Sequence, residues 1–256
     1  GDDIATNTDD DTYVAWNWKG ANATVTNTAG NEDTTVSANP DAGFSIVKWV
    51  NDGNEVGTRG HGLSKAPEAI ITKAYTGYNV GWGTYWKPIA ATNALRLDLT
   101  NASAATDAWN DTEPTATVFS VGTPPQFGDD SSSNSVIAYC FHSVDGYSKV
   151  GGWTGNGDAD GTFVYTGFRP KYLLLKAASR TGAWAILGSV RDTDIYNPIS
   201  EYLSADVNSV EGTHIHCDFV ANGIKFRNDG GDYNEDAATY IYIAFAETPF
   251  KYSNAR

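Results

Sequence analysis

The sequence predicts an all-β protein of two tandem antiparallel β-sandwich or jelly-roll-like domains, preceded by the closing strand of an earlier, truncated repeat. The 256 residues include 26 Gly, 14 Tyr and 8 Trp, but few of the Leu, Lys and Glu residues that fill helix surfaces. Short apolar runs bounded by Pro and Gly recur at intervals of about ten residues. The two halves of the chain also match each other, which indicates a duplicated unit.

The internal repeat rests on five stretches of the first half that match five of the second, with aligned positions about 103 residues apart. The aligned pairs include Trp49 with Trp153, Trp82 with Trp184, Pro67 with Pro170, and Lys73 with Lys176. The stretches are GFSIVKW (43–49) with GYSKVGGW (146–153), HGLSKAPEAIITKA (61–74) with YTGFRPKYLLLKA (165–177), VGWGTYW (80–86) with GAWAIL (182–187), TVFSVG (117–122) with CDFVANG (217–223), and VIAYCF (136–141) with YIYIAF (240–245).

The repeat divides the chain into three parts. Residues 42–145 are predicted to form a first β-sandwich and residues 146–256 a second. The stretch TYVAWNWKG, residues 12–20, resembles the end of each copy and is predicted to be the closing strand of an earlier copy. Residues 21–41 are rich in Thr, Asn, Ala and Gly and are predicted to be a lightly structured connector, so that residues 1–41 form an N-terminal strand and connector. Because the chain contains no Met, we expect a processed product or a fragment.

Local patterns within each copy favour strands and turns. The runs AIITKAY and YLLLKAA are nearly continuous and apolar, as expected of strands covered on both faces. In DFVANGIKFRN, the pair Asn222-Gly223 predicts a two-strand hairpin, since a type I′ turn needs positive φ at both central residues. The stretch NPISEYLSADVNS, residues 197–209, is the candidate for a short helix.

Charge limits the class of partner. The formal net charge is −14, from 31 acidic and 17 basic residues, with no cluster of Lys and Arg. Such a surface repels a nucleic-acid backbone or an anionic membrane, so neither is predicted as a partner. No apolar run approaches the roughly 18 residues of a membrane-spanning helix.

The two cysteines, Cys140 and Cys217, lie far apart in strand-like sequence. Two cysteines in a chain of this length exclude a framework of disulfide bridges. Free cysteine is among the most buried residue types, so both are predicted to be buried free thiols.

Two motifs contain metal-binding residue types. In THIHCD, strand alternation places His214, His216 and Asp218 on one face, and a His-x-His pair is half of a zinc site. In GNGDADGTF, Asp158 and Asp160 precede Gly161 in an order similar to calcium loops. A solvent-facing or hydrogen-bonded strand face is favoured over zinc, because a third or fourth ligand cannot be named. A solvated turn is favoured over calcium, because the matched loop, residues 51–60, lacks the Asp pair. We predict neither a metal nor another cofactor.

Catalytic and sugar-binding groups remain as alternatives. The sequence contains no Gly-x-Ser-x-Gly elbow, P-loop or His-Glu-x-x-His motif, although spacing does not exclude a facing pair of carboxylates as in a glycosidase. A row of exposed indoles would suit stacking on a sugar ring. Because several tryptophans match between the copies, core packing is the favoured interpretation. The indoles concerned are Trp82, Trp86, Trp109, Trp153 and Trp184, with Trp49 matched to Trp153.

Three stretches carry a resemblance to a known class of protein. They are GYSKVGGWTGNGDADGTFVYTGFRPKYLLLKAA (146–178), RDTDIYNPISEYL (191–203) and YIYIAFAETPFKYSNAR (240–256). The chain from residue 12 onward resembles the C-terminal region of large structural proteins of tailed bacteriophages, usually described as tail-fibre or other virion surface components. Such proteins tend to carry a concanavalin-like lectin segment before this region, and none of their residues is transferred to this chain as catalytic.

The resemblance implies a non-enzymatic virion structural protein, part of a tail fibre or another surface appendage or a capsid decoration that contacts the host. Its expected location is the surface of the extracellular particle. Its expected partners are other virion proteins and copies of itself, with a trimer suggested by analogy with fibres, and a host-surface glycan is a further candidate. The alternatives are a lectin-like carbohydrate-binding module and a polysaccharide depolymerase.

Overall fold

The computed structural model describes residues 9–10, 12–51, 56–76, 80–122, 134–191 and 197–248. It confirms an all-β protein with antiparallel sheets. None of the helices in the described ranges is long and apolar enough to cross a membrane. The strands are β1 (Val25–Asn27), β2 (Thr34–Asn39), β3 (Phe44–Val50), β4 (Gly57–Gly60), β5 (Ala69–Ala74), β6 (Gly83–Trp86), β7 (Asn93–Arg96), β8 (Ala104–Ala105), β9 (Val118–Val121), β10 (Ser135–Phe141), β11 (Ser148–Thr154), β12 (Phe163–Tyr165), β13 (Pro170–Ala177), β14 (Ala185–Gly188), β15 (Ile199–Ser204), β16 (Gly212–Val220), β17 (Gly223–Phe226) and β18 (Thr239–Ala246), and two 3-10 turns cover Pro40–Ala42 and Lys87–Ile89.

Two eight-stranded sheets carry most of the chain. The first has the order β1-β2-β3-β10-β5-β6-β7-β8, and β4 pairs with β9 beside it. The second has the order β11-β18-β13-β14-β15-β16-β17-β12. Five strands of the first sheet, β3-β10-β5-β6-β7, therefore have the same connectivity as β11-β18-β13-β14-β15 of the second.

The strand registers of the two sheets also agree. Trp49 lies opposite Val136, which in turn lies opposite Ala74. In the second sheet Trp153 lies opposite Tyr240, which lies opposite Ala177. The aligned tryptophans and lysines thus occupy equivalent positions in their sheets. The division into domains after residues 41 and 145 stays a prediction, because the two sheets also share a core.

One matched pair of stretches needs correction. The alignment matches residues 117–122, which contain β9, with residues 217–223. In the first half β9 pairs with β4. In the second half β12 is the equivalent of β4, and its partner is β17. The topological counterpart of β9 is therefore β17. The aromatic contacts agree, because Trp49 packs on Phe119 of β9 at 5.9 Å between ring centroids and Trp153 stacks on Phe226 of β17 at 4.7 Å.

The predictions for the N-terminal region are wrong in two respects. Residues 12–20 form no strand; they are irregular, and their indoles pack against the second sheet. Residues 21–41 are no loose connector, because β2 pairs along β3 and β1 pairs with β2. Residues 34–36 form a strand because their side chains alternate between the core and solvent: Thr34 and Val36 are buried, while Thr35 is exposed. All three are β-branched, which suits such a half-buried strand.

The predicted hairpin is confirmed, but its turn lies one residue earlier. Val220 pairs with Gly223, so Ala221 and Asn222 form the turn, and neither has positive φ. Gly223 is needed for a different reason: a Cβ there would lie 2.3 Å from the carbonyl oxygen of Val164 in the neighbouring strand. The predicted short helix is wrong, since residues 199–204 form β15, which pairs with both β14 and β16.

Each half has its own core, and a third apolar cluster lies between the two sheets. Cys140 lies in the first core and Cys217 in the second, and both are buried and outside any disulfide, as predicted. Burial raises the pKa of Cys140 to about 12, against a smaller opposing effect of a hydrogen bond with Ser45.

Hydrogen bonds join the halves as well as apolar contacts. The indole Nε1 of Trp184 donates to the carbonyl oxygen of Arg96 at 2.8 Å. The Lys176 ammonium donates to the carbonyl oxygen of Thr100 at 3.1 Å, and the backbone N–H of Ser103 donates to Ala178 at 2.8 Å. Because buried polar groups are costly unless paired, these bonds fix how the halves are oriented.

We predict that Trp184→Ala destabilises the protein by about 3–5 kcal/mol, because it removes a fully buried ring and the bond to Arg96. Trp82 occupies the equivalent position of the first sheet but is only half-buried, so Trp82→Ala should cost under about 2 kcal/mol. Urea unfolding followed by circular dichroism measures both. Equal losses in the two variants would contradict the inter-sheet role of Trp184.

A second prediction concerns acid stability. His61 is fully buried, its Nδ1 accepts the N–H of Leu63, and its Nε2 lies 3.2 Å from the Thr115 carbonyl oxygen. Burial lowers the pKa of His61 from 6.5 to about 4, so between these values the unfolded chain binds a proton that the folded protein does not. The free energy of unfolding should fall by up to about 3 kcal/mol as the pH drops through this window.

The measurement is urea unfolding of the parent and of His61→Gln between pH 7 and pH 4. The variant should lose less stability on acidification. His214→Gln changes an exposed histidine and should keep the parent's pH dependence. Identical pH profiles for the parent and His61→Gln would refute this role of His61.

Candidate functional site

The candidate sugar-stacking indoles are mostly core residues. Trp86 and Trp184 are fully buried, Trp109 is 1% exposed and Trp153 is 8% exposed. Trp82 differs, because it is half-buried and stacks on Tyr139 at 6.5 Å with 22° between the ring planes. Core packing is therefore the correct interpretation for four of these five indoles.

The His-x-His strand does not collect a metal-ligand set. His214 is exposed, whereas His216 is buried with its ring 4.3 Å from that of Tyr233 and 5.1 Å from that of Tyr202. Asp218 accepts from the Arg227 guanidinium at 2.7 Å. Within the described ranges no group of three or more His, Cys, Asp and Glu side chains is placed to hold a metal ion.

The loop GNGDADGTF, residues 155–163, is held by the side-chain amide of Asn234, a residue that the sequence motifs did not single out. Asn234 is fully buried, and its Nδ2 donates to Asn156 Oδ1 at 2.7 Å and to the Asp158 carbonyl oxygen at 2.9 Å. Its Oδ1 accepts from the Thr162 hydroxyl at 3.1 Å. Asn234 belongs to the stretch NDGGDYNED, residues 228–236, and bonds within that stretch to the Asn228 carbonyl oxygen as well as to the loop.

The carboxylate of Asp160 is paired with cations of the protein itself. It lies 2.9 Å from Lys225 Nζ and 3.7 Å from Arg227. The hydrogen bond and charge of Lys225 hold the pKa of Asp160 below its usual value. Of the matched loop in the first half, residues 52–55 lie outside the described residues.

Two further carboxylates have equivalent structural roles in the halves. Asp98 Oδ1 accepts the backbone N–H of Trp82 at 2.8 Å, and Asp206 Oδ1 accepts that of Trp184 at 3.1 Å. Burial raises the pKa of Asp206. Burial also lowers the pKa of the nearby Lys176 to about 8, and its ammonium donates to three carbonyl oxygens.

A cavity of about 460 Å³ lies between the two sheets, and we call it the inter-sheet cavity. Both sheets contribute to its walls, and the N-terminal segment forms one side. Trp16 lies 5.2 Å from Tyr172 and Trp18 lies 5.3 Å from Phe245, as distances between ring centroids. The lining residues are Trp16, Asn17, Trp18, Phe44, Ile46, Ala69, Ile71, Trp82, Trp86, Leu97, Tyr139, Phe141, Tyr172, Leu174, Ile186, Ala205, Ile243 and Phe245.

The chemistry of this cavity is that of apolar contact. Asn17 and the tyrosine hydroxyls are its polar side-chain groups apart from the indoles, and none of the lining residues carries a formal charge near pH 7. The indole Nε1 of Trp86 is buried and has no hydrogen-bond partner within the described part of the chain. No motif in the sequence marks this site, because the site depends on the separation of two sheets.

Comparison with known proteins gives a family but no activity. Searches of curated proteins and of solved structures each found no significant match. A family model matches residues 1–249, nearly the whole chain. The chain belongs to the family described as a domain of unknown function, DUF7483.

Proposed function

We propose that this chain is a non-enzymatic structural module of a bacteriophage virion, part of a tail fibre or another surface appendage or a capsid decoration. The observation that carries this proposal is the docking of two β units of matching connectivity through a common apolar cluster. A module that transmits force or spaces other parts needs its units held in one orientation. The indole bond from Trp184 to Arg96 supports such a fixed orientation.

The contacts that the ionisable side chains make within the protein support a structural role. Asp98 and Asp206 hold the backbone ahead of β6 and β14, and Asp160 pairs with Lys225. His61 bonds to backbone groups on both sides of its ring. Each of these side chains stabilises a strand end or a loop, which is the distribution expected of a displayed module.

The proposed place in a phage particle is based on the resemblance of three stretches of the sequence to tailed-phage surface proteins. In that setting the partners are other virion proteins and copies of this chain, with a trimer by analogy with fibres. The net charge of −14 favours solubility at the particle surface and disfavours contact with nucleic acid.

Immunoelectron microscopy tests the proposal. Antibody raised against the purified chain should label intact particles of a phage that encodes it, and the position of the label separates tail from capsid. Antibody absorbed beforehand with the purified chain is the control and should leave the particles bare. Particles that stay unlabelled, although the chain is detected in the infected cell, would end the proposal.

A carbohydrate-binding module is the second candidate, supported by a surface different from the predicted one. Edge strand β12 exposes Phe163 and Tyr165, 46% and 65% exposed, on one face, while Val164 between them is buried. Two neighbouring exposed rings are suited to stacking on a sugar. This surface, unlike the buried indoles, is accessible to a glycan.

If the chain binds glycans, Tyr165→Ala should weaken binding about tenfold or more, since stacking on an aromatic ring contributes much of such affinity. Tyr75→Ala changes another exposed tyrosine, 48% exposed, directly after β5 and should leave binding unchanged. A glycan array followed by titration of the best hit measures this. An array without hits, with and without calcium, would eliminate the candidate.

A further inference from the structure

We propose that the inter-sheet cavity is a binding site for a small, neutral, largely apolar molecule. The proposal goes beyond the role in the virion, although the cavity lies within the apolar cluster that joins the two sheets. It rests on the size of the cavity and the chemistry of its lining.

The size of the cavity fits a ligand. Protein interiors pack about as densely as organic crystals and leave few voids larger than a water molecule. Ligand pockets have volumes of about 300–1,000 Å³. The inter-sheet cavity, at about 460 Å³, lies within this range and is far larger than a packing defect.

The lining selects the class of ligand. Aromatic and aliphatic side chains of both sheets form the walls, with Ile71 and Tyr139 from the first sheet and Leu174 and Ile243 from the second. None of the lining residues carries a counter-charge, so an ion would lose its hydration without compensation. A sugar would bury hydroxyl groups against the same apolar walls, which costs free energy for each unpaired group. The walls therefore favour a neutral molecule with an apolar body.

The buried indole of Trp86 contributes an apolar wall. Trp86 lines the cavity, but it is fully buried and its Nε1 exposes no surface from which it could donate to a ligand. Its neighbour Trp184, with the ring centroid 5.8 Å away, donates its own N–H to Arg96. Apolar contact is therefore what the cavity offers a ligand at this wall.

The N-terminal segment gives the ligand a route of entry. Residues 12–20 line one side of the cavity through Trp16 and Trp18, but they pair with no strand. Both indoles are only half-buried. The segment is held beside β2 by hydrogen bonds such as that from Asn39 Nδ2 to the Lys19 carbonyl oxygen at 3.2 Å. Moving these two rings opens the cavity without breaking a sheet.

Titration with prodan, 6-propionyl-2-dimethylaminonaphthalene, tests the site with a neutral ring system that has one carbonyl acceptor. Binding to the full chain should be saturable with one site and should shift the probe's emission to the blue. Ile71→Trp places a larger side chain in the cavity and should weaken binding about tenfold or more. Ile215→Trp makes the same change at a residue of β16 that is 52% exposed and should bind like the parent.

Two more variants complete the test. If Ile71→Trp does not fold, as judged by circular dichroism, Ala205→Trp fills the cavity from its exposed rim. Trp86→Phe keeps an aromatic ring at the wall, and because the buried N–H does not reach the cavity, this variant should bind prodan like the parent. N-phenyl-1-naphthylamine, which lacks the carbonyl, should bind this variant and the parent equally. No saturable prodan binding, or equal binding by the folded cavity-filling variant and the parent, would overturn the proposal.

Discussion

The packing of one sheet against the other determines much of what is seen in this chain. The central strands β13 and β18 of the second sheet have almost no solvent side, because one face covers the core of their own half and the other faces the shared cluster. In β13, Leu173 and Leu175 belong to the second core and Leu174 to the shared cluster. In β18, Tyr240 and Tyr242 face the core and Ile241 faces the cluster. This two-sided burial is the physical reason for apolar runs without alternation.

The same packing makes equivalent residues of the two halves behave differently. Lys73 and Lys176 occupy matching positions, yet Lys73 is half-buried with its ammonium 5.7 Å from the ring centroid of Trp82, whereas Lys176 is fully buried. The difference arises because the segment around Thr100 of the first half lies on Lys176 and supplies a carbonyl acceptor. A duplicated sequence therefore does not give duplicated environments, since each copy meets a different neighbour.

The sequence alone was sufficient to predict those features of the fold that depend on local residue patterns. Runs such as YLLLKAA and the spacing of Trp49 and Trp153 predicted strands and equivalent positions, because period and register are encoded residue by residue. It failed at residues 12–20, whose likeness to a closing strand says nothing of whether a partner strand is present. It also failed to predict the inter-sheet cavity and the buried donor of Trp86, because both depend on how two distant surfaces meet.

The edges of the sheets show where further contacts can form. In the first sheet β2 pairs along the outer edge of β3. In the second sheet the equivalent strand β11 is an edge strand, and other groups cover it. The Ser143 hydroxyl accepts the N–H of Val150 at 3.0 Å, and Pro88 packs beside Gly152, 3.0 Å from the place of a Cβ. Proline cannot extend a sheet because it lacks an N–H, so this edge is blocked against strand addition. The opposite edge, β12, carries exposed rings instead, which makes it the better surface for a partner or a second copy.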